Sequence, residues 1–375
     1  MKILQLISGG EKGGSKTHVL SLVKELQKEQ QITLACLMEG EFYRQALAMG
    51  LDARTLLQKK RYHLSPVWEI GRLFKQEGYQ LLHCHGPRAN FYGALVKKLY
   101  KIPTVTTIHS DYLQDFRHNL YKQRVYATFN KLALNTFDGY FAVSDTFQEM
   151  LLSRGFPREK ITVIYNGLDF NAQLKPETRE EFLKKFNLPI PAQAKLVGIL
   201  ARLHPLKGHE IFLAGASRIL AAAPETHFVI GGDGDEKEKL LALRDKLGLK
   251  DRVHFLGQIS DPPSFFQAID VNTLTSHTES FPYVLLEGAL LKKPIVSSAV
   301  GGISRLVKDG ETGFLFPAGN EVEFARQTLK LLEDENLRNT LGENLFQHAR
   351  ANFSLNRLAE IHLQSYEKYG RRGSN

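Results

Sequence analysis

Apolar runs and amphipathic stretches alternate along this chain from its first residue. Residues 1–7 form a continuous apolar run of strand length, residues 17–30 repeat their apolar positions at helical spacing, and residues 32–37 return to strand character. The pattern continues with helices at 67–76, 90–101 and 146–155 and strands at 80–85, 103–109, 140–143 and 161–165. Residues 171–193 break it: they are polar, hold Pro176, Pro189 and Pro191, and read as a linker with one short helix. A second series follows, with strands at 195–201, 227–230, 252–256 and 271–275 and helices at 236–247, 264–268 and 284–293. Short apolar strands alternating with helices predict parallel sheets covered on both faces, so the expected class is α/β with two doubly wound, Rossmann-like domains. The 375 residues suit two domains better than one.

The stretch from Thr275 to Val300, TSHTESFPYVLLEGALLKKPIVSSAV, carries the most chemistry. Pro282 is tolerated only in a first helical turn and Ser280 is a candidate N-cap, so a helix is expected to begin here and to point unpaired N–H groups at the loop before it. Such a helix start attracts a diphosphate. Phe281, Tyr283 and Val284 lie at this loop–helix junction. Glu279 stands before the helix and Glu287 inside it. Eight positions span roughly 12 Å of helix. Two carboxylates that share one glycosidic bond sit roughly 5 to 9.5 Å apart. Glu279 and Glu287 are therefore expected to grip opposite ends of a ligand, one at sugar hydroxyls and the other at ribose hydroxyls, with the diphosphate between them.

Two other loops at strand ends carry candidates. ARLHPLKG follows the strand at 195–201 and places Arg202 and Lys207 five residues apart, a guanidinium and an ammonium suited to clamping a diphosphate. SGGEKGGSKTH follows the first strand, and its glycines would let backbone N–H groups approach a phosphate or a sugar. His83, His85 and His109 end two neighbouring strands but lack the acidic or thiolate company of common zinc sites. Asp233-Gly234-Asp235 joins a strand to a helix, which is ordinary turn chemistry. No metal site is expected from either group.

These motifs, in this order, resemble the retaining GT-B glycosyltransferases of family 4, also called glycosyl transferases group 1. The likeness rests on R-x4-K at Arg202 and Lys207, on E-x7-E at Glu279 and Glu287 followed by K-K-P-I-V, and on the Gly301-Gly302 loop. It covers nearly the whole chain. It departs at Gly288, where the family usually has Ala, and at Ser280, where Gly is common. The resemblance implies two domains facing each other across a cleft: residues 1–170 for the acceptor, residues 171–352 for the nucleotide sugar, and residues 353–375 as a helix crossing back to the first. It also implies that Gly13 and Gly14 form the loop approaching the donor, that His109 reaches the donor sugar, and that Gly257-Gln258-Ile259 reads the nucleobase. His109, Arg202, Lys207 and Glu279 are the expected catalytic group. The implied reaction moves a sugar, from a UDP-sugar or else a GDP-sugar, to a glycan or lipid-linked acceptor with retention, and needs no cofactor and no obligatory metal. The competing readings are a catalytically silent nucleotide-sugar-binding module and a GT-B nucleotide-sugar epimerase.

Composition narrows the setting. Hydrophobic residues make up 43% and charged residues 24%, as in globular chains, and no run reaches the length of a membrane span. The first residues enter a strand directly, without a signal-peptide pattern, and two cysteines make neither a disulfide framework nor a metal quartet, so a cytoplasmic protein is expected. Charge is uneven: residues 1–170 hold 23 Lys and Arg against 15 Asp and Glu, net +8, leaving +1 of the total +9 for the remainder. Nucleic-acid motifs are absent. In residues 110–138, Tyr112, Phe116 and Tyr121 recur at helical spacing among Arg117, Lys122 and Arg124, a pattern suited to an anionic membrane surface or an acceptor. Peripheral attachment to the inner face of the cell membrane is the corresponding expectation.

Overall fold

A computed structural model describes residues 1–11, 13–56, 63–109 and 131–370. Tyr112, Phe116, Arg117, Tyr121, Lys122 and Arg124, expected to meet a membrane or an acceptor, lie outside the described residues. The chain forms two units, Met1–Gly167 together with the chain from Leu355 on, and Leu168–Ser354.

In the first unit the apolar runs become β1 (Lys2–Ile7), β2 (Gln31–Cys36), β3 (Ala53–Thr55), β4 (Leu81–His85), β5 (Thr104–Ile108), β6 (Gly139–Ala142) and β7 (Ile161–Val163). They pair in the order β3-β2-β1-β4-β5-β6-β7, every neighbour parallel. Side chains alternate across β4: Leu82 and Cys84 join a core with Tyr92 and Phe137 on one face, whereas Leu81 joins a second core on the other. That second core is covered by helix Gly14–Leu26, through Val19, Leu22, Val23 and Leu26, and by helix Leu355–Gly370, through Leu358, Tyr366 and Tyr369. Cys36 and Cys84 are free and buried, and burial pushes the Cys36 thiol up to about 12. They are inert packing residues.

The second unit repeats the plan with β8 (Leu196–Leu200), β9 (His227–Gly231), β10 (Val253–Gly257), β11 (Val271–Leu274), β12 (Ile295–Ser298) and β13 (Phe314–Phe316), again all parallel, in the order β10-β9-β8-β11-β12-β13. Its strands are buried on both faces by Phe212, Phe228 and Phe324 on one side and Phe182, Phe265 and Phe266 on the other.

Each order reverses at one place, between β1 and β4 in the first unit and between β8 and β11 in the second. There the flanking helices leave on opposite faces and a crevice opens beyond the carboxyl ends of the strands. His85 ends β4, and the loops that follow the other three strands carry the glycine-rich segment, the Arg202–Lys207 segment and the segment from Thr275 to Glu279. No helix among the described residues is long and apolar enough to cross a membrane.

Candidate active site

At the switch point of the second unit, the loops after β8 and β11 are tied together. The Thr275 hydroxyl donates to the carbonyl of Gly208 at 2.8 Å, and the His277 amide donates to the carbonyl of Leu206 at 2.9 Å. Gly208 has φ +62°, and a Cβ there would stand 2.1 Å from the Thr275 carbonyl oxygen, so only glycine lets the two loops approach this closely.

That approach brings Lys207 to Glu279. Lys207 Nζ lies 2.6 Å from Glu279 Oε1, and the Ser276 hydroxyl donates to the same oxygen at 2.7 Å. The Glu279 side chain is only 7% exposed, the Lys207 side chain 25%. Behind Glu279 the Gly301-Gly302 turn closes in: a Cβ on Gly301 would stand 1.9 Å from the Glu279 carbonyl oxygen, and the Gly302 amide donates to the Ser280 carbonyl at 2.7 Å. Arg202 is exposed and has no hydrogen-bond partner among the described residues. Its backbone is nevertheless fixed, because Leu203 beside it is buried and its amide donates to the Asp233 carbonyl at 3.0 Å. Gly234 packs so close that a Cβ would stand 2.3 Å from the Leu203 carbonyl oxygen. The GGDGDE turn thus supports the loop that carries Arg202. The Asp233 carboxylate accepts from the Gly234 amide at 2.9 Å, as a turn residue does.

The helix after Glu279 runs Tyr283–Leu290, beginning one residue before the span the sequence pattern suggests and ending three residues short of it. Lys292 turns into the left-handed region at φ 55° and ends it ahead of Pro294. Ser280 is not its cap: Pro282 occupies the cap position with φ −77° and ψ 128°, no side chain bonds to the first turn, and Ser280 is engaged by Gly302 instead. The N–H groups of the first turn are therefore free of side-chain caps.

One turn into this helix, Glu287 accepts no hydrogen bond from any described residue, and desolvation raises its carboxyl to about 7. The Tyr283 hydroxyl, one turn earlier on the same face, is also buried without a partner. Gly288 has a steric reason: a Cβ there would stand 2.2 Å from Asn272 Nδ2, which donates to the Val284 carbonyl at 3.3 Å. The Phe281 side chain is 1% exposed and its ring packs 4.8 Å from that of Phe353, so the ring belongs to the core and the backbone is what Phe281 can offer a ligand. Val284 and Ile259 likewise turn apolar surface onto the Phe265 cluster, leaving their backbones as the groups available to a ligand. The carbonyl oxygen of Gly257, a residue at φ 69°, accepts from the Gly232 amide at 2.7 Å.

In the first unit His109 follows β5, and its Nε2 lies 3.2 Å from His85 Nδ1 on the neighbouring strand end. The His18 ring stands edge-on to it at 4.9 Å. His18 is 1% exposed, and its Nδ1 pairs with Asn166 at 3.0 Å. Burial depresses His109, His83 and His85 well below the ordinary histidine range, with neighbouring imidazoles adding to the effect. Gly13 sits at the N-cap of helix Gly14–Leu26 with φ 63°, and no side chain caps that helix. Glu11 had no sequence signal of its own. Its carboxylate folds back under the loop to accept from the Ser8 amide at 3.2 Å and the Gly9 amide at 2.8 Å, and burial raises its pKa despite those bonds. Among the described residues, no group of three or more His, Cys, Asp or Glu is placed to hold a metal ion.

Two parallel doubly wound units, with a Lys–Glu pair, an uncapped helix and a half-buried lone carboxylate at a switch point, suit an anionic, hydroxyl-rich ligand. Comparison with known proteins makes the class specific. The family model for glycosyltransferase family 4 matches residues 12–172, and that for glycosyl transferases group 1 matches residues 180–348. The chain belongs to the group 1 glycosyltransferases of the GT-B fold. Among its relatives, D-inositol 3-phosphate glycosyltransferase of Corynebacterium glutamicum is 24% identical over 92% of this chain and 90% of its own. The O-antigen biosynthesis glycosyltransferase WclY of Escherichia coli is 26% identical over 80% of each. Anabaena HepE, solved in complex with UDP-glucose, superposes with a TM-score of 0.82 at 25% identity, over 98% of this chain and 100% of that one.

Proposed function

We propose that the chain transfers a sugar from a nucleoside diphosphate sugar, with UDP as the favoured nucleotide, to a glycan or lipid-linked acceptor, with retention at the anomeric carbon and without an obligatory metal. The observation that carries this reading is the Lys207–Glu279 pair at the β8/β11 switch point, beside an uncapped helix start and the unpartnered carboxylate of Glu287. In this reading the first-turn amides of helix Tyr283–Leu290 receive the diphosphate, and Arg202 and Lys207 neutralise the charge that develops on it as the glycosidic bond breaks. Glu279, whose Oε2 has no partner among the described residues, accepts from sugar hydroxyls. Glu287 accepts from the ribose hydroxyls, which would restore the hydrogen bonds its burial denies it. His109 takes the sugar contact that the family likeness implies. HepE, solved with UDP-glucose, supports the choice of UDP.

The test is direct. The purified chain is screened by thermal shift against UDP-, GDP- and ADP-sugars, and the stabilising donor is then incubated with a pool of glycan and lipid-linked acceptors while free nucleoside diphosphate and product anomer are followed. Stabilisation by a UDP-sugar and release of UDP with an α-linked product from an α-linked donor support the reading. Stabilisation without release in any acceptor pool would leave a silent binding module, and an inverted product would remove retention.

A further inference from the structure

The interface between the first sheet and its covering helices is not wholly apolar. Gln5 on β1, His83 and His85 on β4, Thr107 on β5 and Tyr366 on helix Leu355–Gly370 are each no more than 2% exposed, and they form one continuous chain of hydrogen bonds ending at His109. Buried polar groups in such a place are costly unless each finds a partner, so every proton in the chain is constrained by its neighbours.

The direction of the chain follows from the inventory of donors. The Gln5 carboxamide nitrogen donates to Tyr366 Oη at 3.4 Å. The single Tyr366 proton then goes to His83 Nδ1 at 2.7 Å, so His83 carries its own proton on Nε2 and donates it to the Thr107 hydroxyl at 2.8 Å. At its other end Gln5 offers only a carbonyl oxygen, which accepts from His85 Nε2 at 2.9 Å. A neutral imidazole has one N–H, so His85 Nδ1 is a lone pair and His109 must donate to it from Nε2. His109 Nδ1 is then the free lone pair, and it has no partner among the described residues.

We propose that Gln5 and His85 are positioning residues that hold His109 as the tautomer protonated on Nε2, so that its Nδ1 is an obligate hydrogen-bond acceptor for a hydroxyl of the sugar substrate. The substrate half of this statement rests on the transferase reading of His109 given above; the tautomer half does not. Such a ring selects a hydroxyl that donates, and a sugar carrying an ether or deoxy carbon at that position loses the bond. Tyr366 extends the control to helix Leu355–Gly370: with its proton given to His83, its oxygen accepts from the Gln5 nitrogen and so leaves the Gln5 oxygen pointing at His85.

Long-range proton–nitrogen NMR spectra of the histidine-labelled full chain near neutral pH read the tautomer directly, with the His109 signals assigned by their loss in His109→Gln. The Nε2–H pattern is expected. The Nδ1–H pattern, or a charged imidazole, would overturn the proposal, whatever the activity. Gln5→Leu removes the acceptor for His85 and is expected to move a substantial fraction of His109 to the Nδ1–H form; Gln5→Glu keeps an oxygen there and is expected to preserve the native pattern. An unchanged His109 pattern in folded Gln5→Leu would overturn the role of Gln5. In the transfer assay Gln5→Leu is expected to lower kcat/KM about tenfold, the worth of one hydrogen bond, with recovery in Gln5→Glu. If the tautomer moves as expected while kcat/KM stays unchanged, the positioning chain stands and the contact between His109 and the sugar falls.

Discussion

Lys207 and Glu279 lie 72 positions apart in the sequence and meet at 2.6 Å, at a point where two loops are pinned to each other by backbone bonds. The pair holds the ammonium in place before any substrate arrives, so the positive charge needs no reorganisation when an anion develops beside it. Lys207→Ala is expected to lower kcat about a hundredfold or more, in line with the roughly 2.7 to 4 kcal/mol lost when one such contact to a developing anion is removed. Steady-state kinetics on folded protein decide it, and a loss smaller than about tenfold would exclude Lys207 from the chemistry.

The half-buried Glu287 gives a prediction in which stability and binding move in opposite directions. Its folded pKa of about 7 lies above the ordinary glutamate value of 4.5, so the folded state holds the proton more tightly than the unfolded chain. That preference is fully present below the unfolded value and is lost as pH rises through 7, where an unpaired carboxylate must be kept in a poorly solvated place. Removing the charge with Glu287→Gln is expected to stabilise the protein by up to about 3 kcal/mol near pH 8 and by little near pH 4. The same variant is expected to bind nucleotide more weakly. Wild-type affinity is expected to fall as pH drops below 7, since the protonated acid accepts fewer hydrogen bonds. Thermal unfolding and nucleotide titration at both pH values measure the two effects; a variant that is destabilised near pH 8 would mean that an existing partner had been removed.

The histidines of the first unit respond to acid in the opposite sense. Burial lowers His18 to about 4 and His362 to about 3, and holds His83, His85 and His109 well below the ordinary range. A depressed histidine contributes stability above the unfolded value near 6.5, and that contribution is lost as pH falls toward the folded value. Each group removes at most about 1.4 kcal/mol per pH unit in that window. Urea unfolding of the full chain is therefore expected to show a steep loss of stability between about pH 6.5 and pH 5. A midpoint that stays level across the window would show that the cluster takes up protons while folded.

Gly208 tests the geometry of the clamp independently of its charge. Gly208→Ala must accept a positive φ and a Cβ 2.1 Å from the Thr275 carbonyl oxygen, so the loop carrying Lys207 has to move. The left-handed conformation alone costs about 1 to 2 kcal/mol, with the clash in addition. Loss of stability together with at least a tenfold loss in kcat is expected; activity at the wild-type level would mean that the two loops are not held in register by this glycine.

Chelation separates the charge clamp from metal chemistry. Transfer is expected to persist in excess EDTA, because Asp233 is engaged in its own turn and the proposed function assigns the positive charge to Arg202 and Lys207. Complete loss, restored by manganese or magnesium, would reverse that reading.

The sequence exposes Arg202, Lys207, Glu279 and Glu287 because each lies at a fixed step from a recognisable strand end, and parallel strand ends are where such folds gather their chemistry. What it hides are relationships without local pattern. Gly208 and Gly301 read as turn residues, yet each is required by a carbonyl from a distant loop. Phe281 looks like a ligand contact because it follows a motif glutamate, whereas its place is set by Phe353. Ser280 has the chemistry of a helix cap, but Pro282 fixes the backbone at the cap position and Ser280 is left to meet Gly302. Gln5 and Tyr366 stand 361 positions apart, and nothing near either one announces the other.

The second unit interrupts the first, which the chain leaves at Gly167 and rejoins at Leu355. During synthesis this sets an order. The ribosome delivers the first sheet and then the whole of the second unit before it makes the helix that seals the first core. Until that helix arrives, the patch around Val19, Val23 and Phe141 lacks the cover of Leu358, Tyr366 and Tyr369, and His83 lacks its hydrogen-bond partner Tyr366. The Leu168–Ser354 unit has no such dependence and can complete its fold as it emerges, as domains generally do. A helix made after both sheets is thus what commits the first of them to its final form.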